Sequence, residues 1–400
     1  MILTPKQIDN YADALLWGLS VDRPRFRKYD VVLVRMESPA ALPLAEAINR
    51  RLVERRFNVI LRTLASPTAE KDFYGLSDPA QRRFVWPGEK ELYEGLNGLI
   101  ALRAPMSLTH LKDIPPGRIG EVTVAKKSLR DILDRREEHG RFSWTLCTWP
   151  TEVPARNARL PLKAYASQIV KACFLDDRDT VGRWKSVHRD AMEIKAWLKG
   201  LRMRTIRLQT RSMDLEVRLG EHRKFQGVSG RNIPSFEIFT SPDCRGTRGV
   251  YYSNLPSFRN GNYVEGIRLE FKDGDALKVS AKKGEEFTRK TLALDPGARR
   301  IGELSLTDVR FSKIDKFMAD TLFDENFGGP YGNCHIAMGA SYSDTFDGDP
   351  SKLTRSRKKA LGFNDSSHHW DIVNTEDKTV TACLRGGKRV TVYDKGRFKV

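Results

Sequence analysis

The chain changes the period of its apolar positions near its middle. In the first half, short β-branched runs alternate with longer stretches whose apolar residues recur three and four apart. Tyr29 to Arg35, Asn58 to Leu64, Gly98 to Arg103 and Ser143 to Thr148 are runs of the first kind, the pattern of strands buried on both faces in a parallel sheet. Ile8 to Leu16 predicts a helix. So does Pro39 to Arg56, where Ala40, Leu42, Leu44, Ala45, Ile48, Leu52 and Val53 fall at helical intervals. Strand, helix, strand in repetition predicts an open, mostly parallel α/β sheet. No Gly-rich phosphate loop follows any of these strands, so a nucleotide site is not supported. Leu160 to Cys173 and Arg178 to Leu201 predict two further helices that connect the halves, and His188 on the second reads as a partly buried helix histidine.

From Arg202 the period falls to two. Ile206 to Thr210, Leu215 to Leu219, Ile267 to Phe271 and Leu277 to Ser280 alternate apolar and polar residues, with turn signals such as Lys272-Asp273-Gly274-Asp275 between them. That pattern predicts half-exposed antiparallel strands. A hairpin, Thr379 to Leu384 and Arg389 to Tyr393, closes the chain. The expected organisation is an α/β N-terminal domain over residues 1–200 and a strand-rich α+β C-terminal domain over residues 201–400.

Length agrees with two domains, since 400 residues exceed what one core usually holds. No apolar run approaches the roughly 18 residues of a membrane span, and the N-terminus lacks the layout of a signal peptide; a cytoplasmic location is expected. Five scattered cysteines without a Cys-x-x-Cys pair predict reduced structural thiols. A net charge of +18 could signal a nucleic-acid surface. The basic residues are spread along the whole chain, however, so nucleic-acid binding is the lesser reading.

The chemistry concentrates late. Three of the seven histidines fall in Asn333 to Tyr342 and Ser367 to Val373. His369 and Asp371 stand two apart, which in a strand puts both on one face with Trp370 on the other. His368 then points away and reads as a surface or packing histidine. His335 follows a turn-rich stretch, Gly328 to Asn333, that could bring a loop up to such a strand end. Two imidazoles and a carboxylate suit zinc, manganese, cobalt or iron(II). Glu237 and Glu303 are lone charges inside apolar strand-like runs, and each needs a positive partner: a metal ion, or an arginine such as Arg231 or Arg300. A bridging carboxylate among them would allow two ions.

Five ordered motifs then resemble one family, the metallo-aminopeptidases typified by thermophilic aminopeptidase T and staphylococcal aminopeptidase S. They are Asn-Ile-Pro-x-x-Glu-Ile-Phe-Thr at 232–240, Asp-Pro-Gly-Ala-Arg-Arg-Ile-Gly-Glu-Leu at 295–304, Asp-Glu-Asn at 324–326, His-Ile-Ala-Met-Gly-x-x-Tyr at 335–342 and His-Trp-Asp at 369–371. The resemblance implies a two-metal site with Glu237, Glu303, His335, His369 and Asp371 as ligands, Glu325 as a sixth, and Glu303 bridging. It implies that Tyr342 faces the reacting centre, that Glu237 or Glu303 handles the proton, and that two divalent ions (zinc, cobalt or manganese) serve peptide hydrolysis in a homodimer. Ser235-Phe236 departs from the family form, where Asp-Gly is expected, and the Phe236 ring is expected to narrow the substrate pocket. Two alternatives stand beside this reading: a mononuclear iron(II) ring-cleaving dioxygenase built on His335, His369 and Asp371, and a binding protein for nucleic acid or acidic peptides with a structural metal.

Overall fold

The computed structural model describes residues 2–400 other than Asp22 and Pro24. The chain groups into two compact units: residues 1–185 with Ser229–Pro234, and residues 186–228 with 235–400. The boundary near residue 185 falls within one continuous helix, Thr180–Gly200.

The first unit is an α/β sheet. Five strands lie in the order Asn58–Thr63, Val31–Met36, Leu96–Arg103, Ser143–Thr148, Asn232–Ile233, and every pairing is parallel. The helices expected around residues 8–16 and 39–56 form as Pro5–Val21 and as Leu42–Glu54 behind a short 3-10 turn. Their apolar stripes, including Leu15, Leu19, Leu44 and Ile48, are buried. The fifth strand is a two-residue piece from much later in the chain, too short to carry a period of its own.

The second unit is antiparallel. An eight-stranded sheet contains the alternating segments, now Met203–Gln209, Asp214–Arg218, Arg268–Lys272 and Asp275–Ser280, with the hairpin Thr379–Leu384 and Arg389–Asp394 at one side. A four-stranded sheet runs His369–Asn374, Asn333–Gly339, Ile301–Thr307, Glu237–Thr240. Its two central strands and the Glu237 strand are buried at every residue. Two tyrosines of the larger sheet's strands lock onto its backbone: the Tyr251 hydroxyl donates to the Ile372 carbonyl at 2.7 Å, and that of Tyr393 to the Thr307 carbonyl at 2.7 Å. His335 therefore lies on a central strand, not on a loop reaching a strand end. Among the described residues no helix is long and apolar enough to cross a membrane.

Candidate metal centre

Register in the four-stranded sheet decides which side chains meet, because directly opposed residues share a face. Glu237 stands opposite Thr307, Ser305 opposite His335, Glu303 opposite Ala337, Ala337 opposite Asp371, and Gly339 opposite His369. Counting by twos along each strand, Glu237, Glu303, His335, His369 and Asp371 all fall on one face, separated by the small residues Ser305, Ala337 and Gly339. The other face carries Ile238, Leu304, Leu306, Ile336, Met338, Trp370 and Ile372, all buried. A slip of one residue in any strand would exchange a metal-ligand type for a core side chain, so the apolar face fixes the site. Just before Glu303 the ladder shifts register, a local irregularity of the kind that re-aims a side chain. Gly302 permits it, since a Cβ there would collide with the Gly339 and Ala340 carbonyl oxygens.

Glu303 is the centre of the cluster. Its Oε1 lies 3.1 Å from His335 Nε2 and its Oε2 3.5 Å from His369 Nε2. Glu237 Oε2 is 3.3 Å from His335 Nε2, and Asp371 Oδ1 is 3.3 Å from His369 Nε2. Two triads that could each hold a metal ion result, Glu237–Glu303–His335 and Glu303–His369–Asp371, each with its donor atoms within 4.8 Å of one another. His369 Nδ1 lies 2.9 Å from the Ala340 carbonyl, which holds Nε2 toward the carboxylates. The arginines expected as alternative partners are engaged elsewhere, Arg231 with Glu137 and Arg300 with Asp275.

Glu325 is buried beyond both triads, at the end of the short helix Thr321–Asp324. Its neighbours in the Asp-Glu-Asn motif build that turn: Asp324 accepts the Met318 and Asp320 amides at 2.8 and 3.0 Å, and Asn326 Oδ1 accepts the Phe236 amide at 2.5 Å. Asn326 thus ties the Glu325 loop to the residue before Glu237, a role its sequence position alone does not reveal. Phe236 is fully buried, so its ring occupies core. The Tyr342 ring centroid lies 4.7 Å from that of His369, with the two planes tilted by 50°. His368 is buried with no hydrogen bond to either ring nitrogen, in keeping with a packing role, and His188 Nδ1 meets the Val228 carbonyl at 2.8 Å on its helix.

Electrostatics follow from four carboxylates facing two imidazoles. Burial raises Glu237 to about 8, and the charge of Glu303 adds to it. Burial also places Glu325 well above the carboxylate range, with Glu237, Asp371 and Glu303 pushing the same way. For the imidazoles burial opposes charge and loses: Glu303 and Glu237 carry His335 up to about 9, and Asp371 and Glu303 carry His369 up to about 9. Asp371, despite burial, is held near 2 by His369, His335 and Arg259. Burial of the hydroxyl end and then the field of Glu303 and Asp371 keep the Tyr342 phenol protonated, although 42% of the residue is exposed.

This donor set fits divalent cations. Once the protons held by Glu237 and the two imidazoles are released, carboxylate oxygens and neutral imidazole nitrogens are left to meet a cation, and both Nε2 atoms converge on carboxylate oxygens. His335 Nδ1 and Ser305 Oγ, moreover, are buried without hydrogen-bond partners on the same face.

The M29 peptidase family, described as thermophilic metalloprotease, matches residues 4–398. The chain belongs to this family. Aminopeptidase T of Thermus aquaticus is 32% identical over 309 residues, 72% of this chain and 74% of the relative. Aminopeptidase PepS of Streptococcus thermophilus is 30% identical over 249 residues, 58% of each chain. The structure of wild-type AmpT from Thermus thermophilus superposes with a TM-score of 0.78 over 98% of this chain and 99% of that one, and at 24% identity it shows the common fold. Membership of M29 implies a divalent metal cofactor. The ring-cleaving oxygenase and the nucleic-acid or acidic-peptide binder draw no support from these similarities.

Proposed function

We infer that the chain is a metal-dependent aminopeptidase that removes N-terminal residues from peptides with two divalent ions, zinc, cobalt or manganese, and that it works as a cytoplasmic homodimer. The observation that carries the two-ion reading is Glu303, with one oxygen toward each imidazole and a place in both triads. Glu237 and His335 complete one site, and His369 and Asp371 the other. Glu325 serves as a further ligand from its buried turn.

Divalent cations held there supply Lewis acidity, polarising the scissile carbonyl and acidifying a water. The chain's own residues do the rest. The entry side is set by exposure: the side chains of His335, Glu303 and Glu237 are 1, 4 and 9% accessible, those of His369 and Asp371 20 and 15%. The peptide therefore approaches from the His369–Asp371 side. Its amino group faces a carboxylate, Asp371 or Glu325, which fixes the chain end and restricts cleavage to the first residue. Glu237 or Glu303 accepts the water's proton on a carboxylate oxygen and passes it to the departing amine. Tyr342, kept neutral, donates its hydroxyl hydrogen to the developing oxyanion.

Chelated protein should be inert toward aminoacyl arylamides and regain activity with manganese, cobalt or zinc, binding two ions per chain by elemental analysis. One iron per chain with oxygen uptake, or no metal-dependent release by folded protein, overturns the reading.

A further inference from the structure

One side chain joins two of the metal-ligand segments without being a ligand itself. Asn326 follows Glu325 at the end of its turn, and Phe236 precedes Glu237 at the start of its strand. The Phe236 amide donates to Asn326 Oδ1 at 2.5 Å. From its other end Asn326 donates through Nδ2 to the Leu322 carbonyl at 2.9 Å, and its main-chain carbonyl accepts the Ser312 hydroxyl at 2.5 Å. The two side-chain bonds need an acceptor and a donor on one short side chain, which a carboxamide supplies and an aliphatic group of the same size does not.

Both partners of the Phe236 bond are completely buried. Water cannot replace it there, so losing either end leaves a buried polar group unpaired. A second link runs beside the first: Thr307, which stands opposite Glu237 in the sheet, donates its hydroxyl to the Glu325 carbonyl at 3.3 Å. The Glu237 carboxylate is itself oriented, for Ser235 Oγ lies 3.4 Å from its Oε1 while its Oε2 faces His335. Beyond burial, the largest influence on the Glu325 carboxyl is the charge of Glu237, in keeping with these linked backbones.

A metal ion tolerates little error in the placement of its ligands, and the groups that orient them from outside matter nearly as much as the ligands. In their ionised form two buried carboxylates repel until a cation joins them, so the backbone behind them has to set their separation. We propose that Asn326 is a positioning residue that clamps the Glu325 turn to the Glu237 strand, so that the two carboxylates meet cations at one fixed separation. The proposal rests on the reading of Glu237 and Glu325 as ligands and not on peptide cleavage, so metal binding decides it.

The experiment titrates zinc calorimetrically into chelated wild type, Asn326→Leu, Glu325→Gln and the variant carrying both changes. Asn326→Leu with normal circular dichroism should bind zinc roughly 10–100-fold more weakly, the usual cost of disturbing a group that orients a ligand. Its cobalt(II) derivative should show a shifted visible spectrum, which reports ligand geometry without turnover. In the double variant the loss should fall well short of the product of the two single losses, because the clamp acts through the carboxylate already removed. Ser312→Ala serves as the control, since it loosens the same turn without touching the Phe236 amide; it should lower the melting temperature and leave zinc affinity unchanged. Wild-type affinity and spectrum in folded Asn326→Leu, multiplicative losses in the double variant, or an equal loss in Ser312→Ala each overturn the proposal and leave the ligand reading intact. Wild-type zinc affinity in Glu325→Gln removes the ligand reading of Glu325 and the proposal with it. Should Asn326→Leu fail to fold, hydrogen exchange of the wild type decides: zinc should protect residues 236–240 and 321–327 over the same range of concentration, and protection of one segment without the other overturns the clamp.

Discussion

Glu303 faces both imidazoles, each through a different oxygen. A glutamine in its place keeps the shape and one acceptor but loses the charge and the second anionic oxygen, so both triads are damaged together. Glu303→Gln should therefore hold fewer than two ions per chain and lose more than the roughly 10–100-fold that disturbance of an outer-shell partner costs. Metal content by elemental analysis with kcat/KM checks this, and a variant with two ions and wild-type rate excludes the bridge. Tyr342 makes the opposite prediction. Its phenol is kept protonated and so donates rather than ligates, and Tyr342→Phe should keep both ions while kcat falls by roughly 10²–10³, the usual cost of an oxyanion donor. Loss of metal from Tyr342→Phe would make it a ligand or a structural prop.

At the scale of elements, the site is a consequence of strand register, and Gly339 shows how little slack it has. Its φ of +109° closes the strand where the chain turns toward Tyr342, and a Cβ there would meet the His368 carbonyl oxygen and ring. Gly339→Ala should cost about 1–3 kcal/mol through backbone strain alone. It should also weaken metal binding, because Gly339 is the register partner of His369. Thermal melting with and without zinc tests it: an unchanged midpoint and an unchanged zinc shift would contradict the register argument. This geometry also marks how far sequence could reach. The spacing of His369 and Asp371, the strand periods and the lone charges at 237 and 303 were legible, since each is local. Ser143–Thr148 and Thr379–Leu384 form at the expected residues. The pairing of Glu237 with Thr307 and of Ser305 with His335 was not, because nothing within a strand names its neighbour 30 or 70 residues away. The sequence around His335 suggests a loop because Gly328 to Asn333 dominates its upstream context, whereas its own strand, buried on both faces, has no alternating pattern.

The whole molecule carries a net charge of +18, and the protons held by its buried carboxylate–imidazole cluster make stability depend jointly on pH and metal. In the metal-free protein Glu237 is raised from 4.5 to about 8, and His335 and His369 from 6.5 to about 9. A folded-state pKa above the unfolded one means stability fully present below the unfolded value and lost as pH rises through the folded value. The losses fall between 4.5 and about 8 for Glu237, and between 6.5 and about 9 for the two histidines. Asp371 runs the other way: lowered from 3.8 to about 2, its contribution is present above 3.8 and disappears only in acid. Metal-free protein should accordingly melt at progressively lower temperature as pH rises from mildly acid to alkaline. Cations need the same Nε2 lone pairs and ionised carboxylates, so protons compete with them and affinity rises over the same range. Binding to the folded state alone raises stability by about 2.7 kcal/mol when free metal exceeds the dissociation constant 100-fold. The gap between chelated and zinc-loaded melting temperatures should therefore widen steadily from about pH 5.5 to about pH 8.5, with protons released on loading at neutral pH. Scanning calorimetry in matched buffers measures the gap, and a gap independent of pH would show that the imidazoles and carboxylates gathered by Glu303 do not hold the metal.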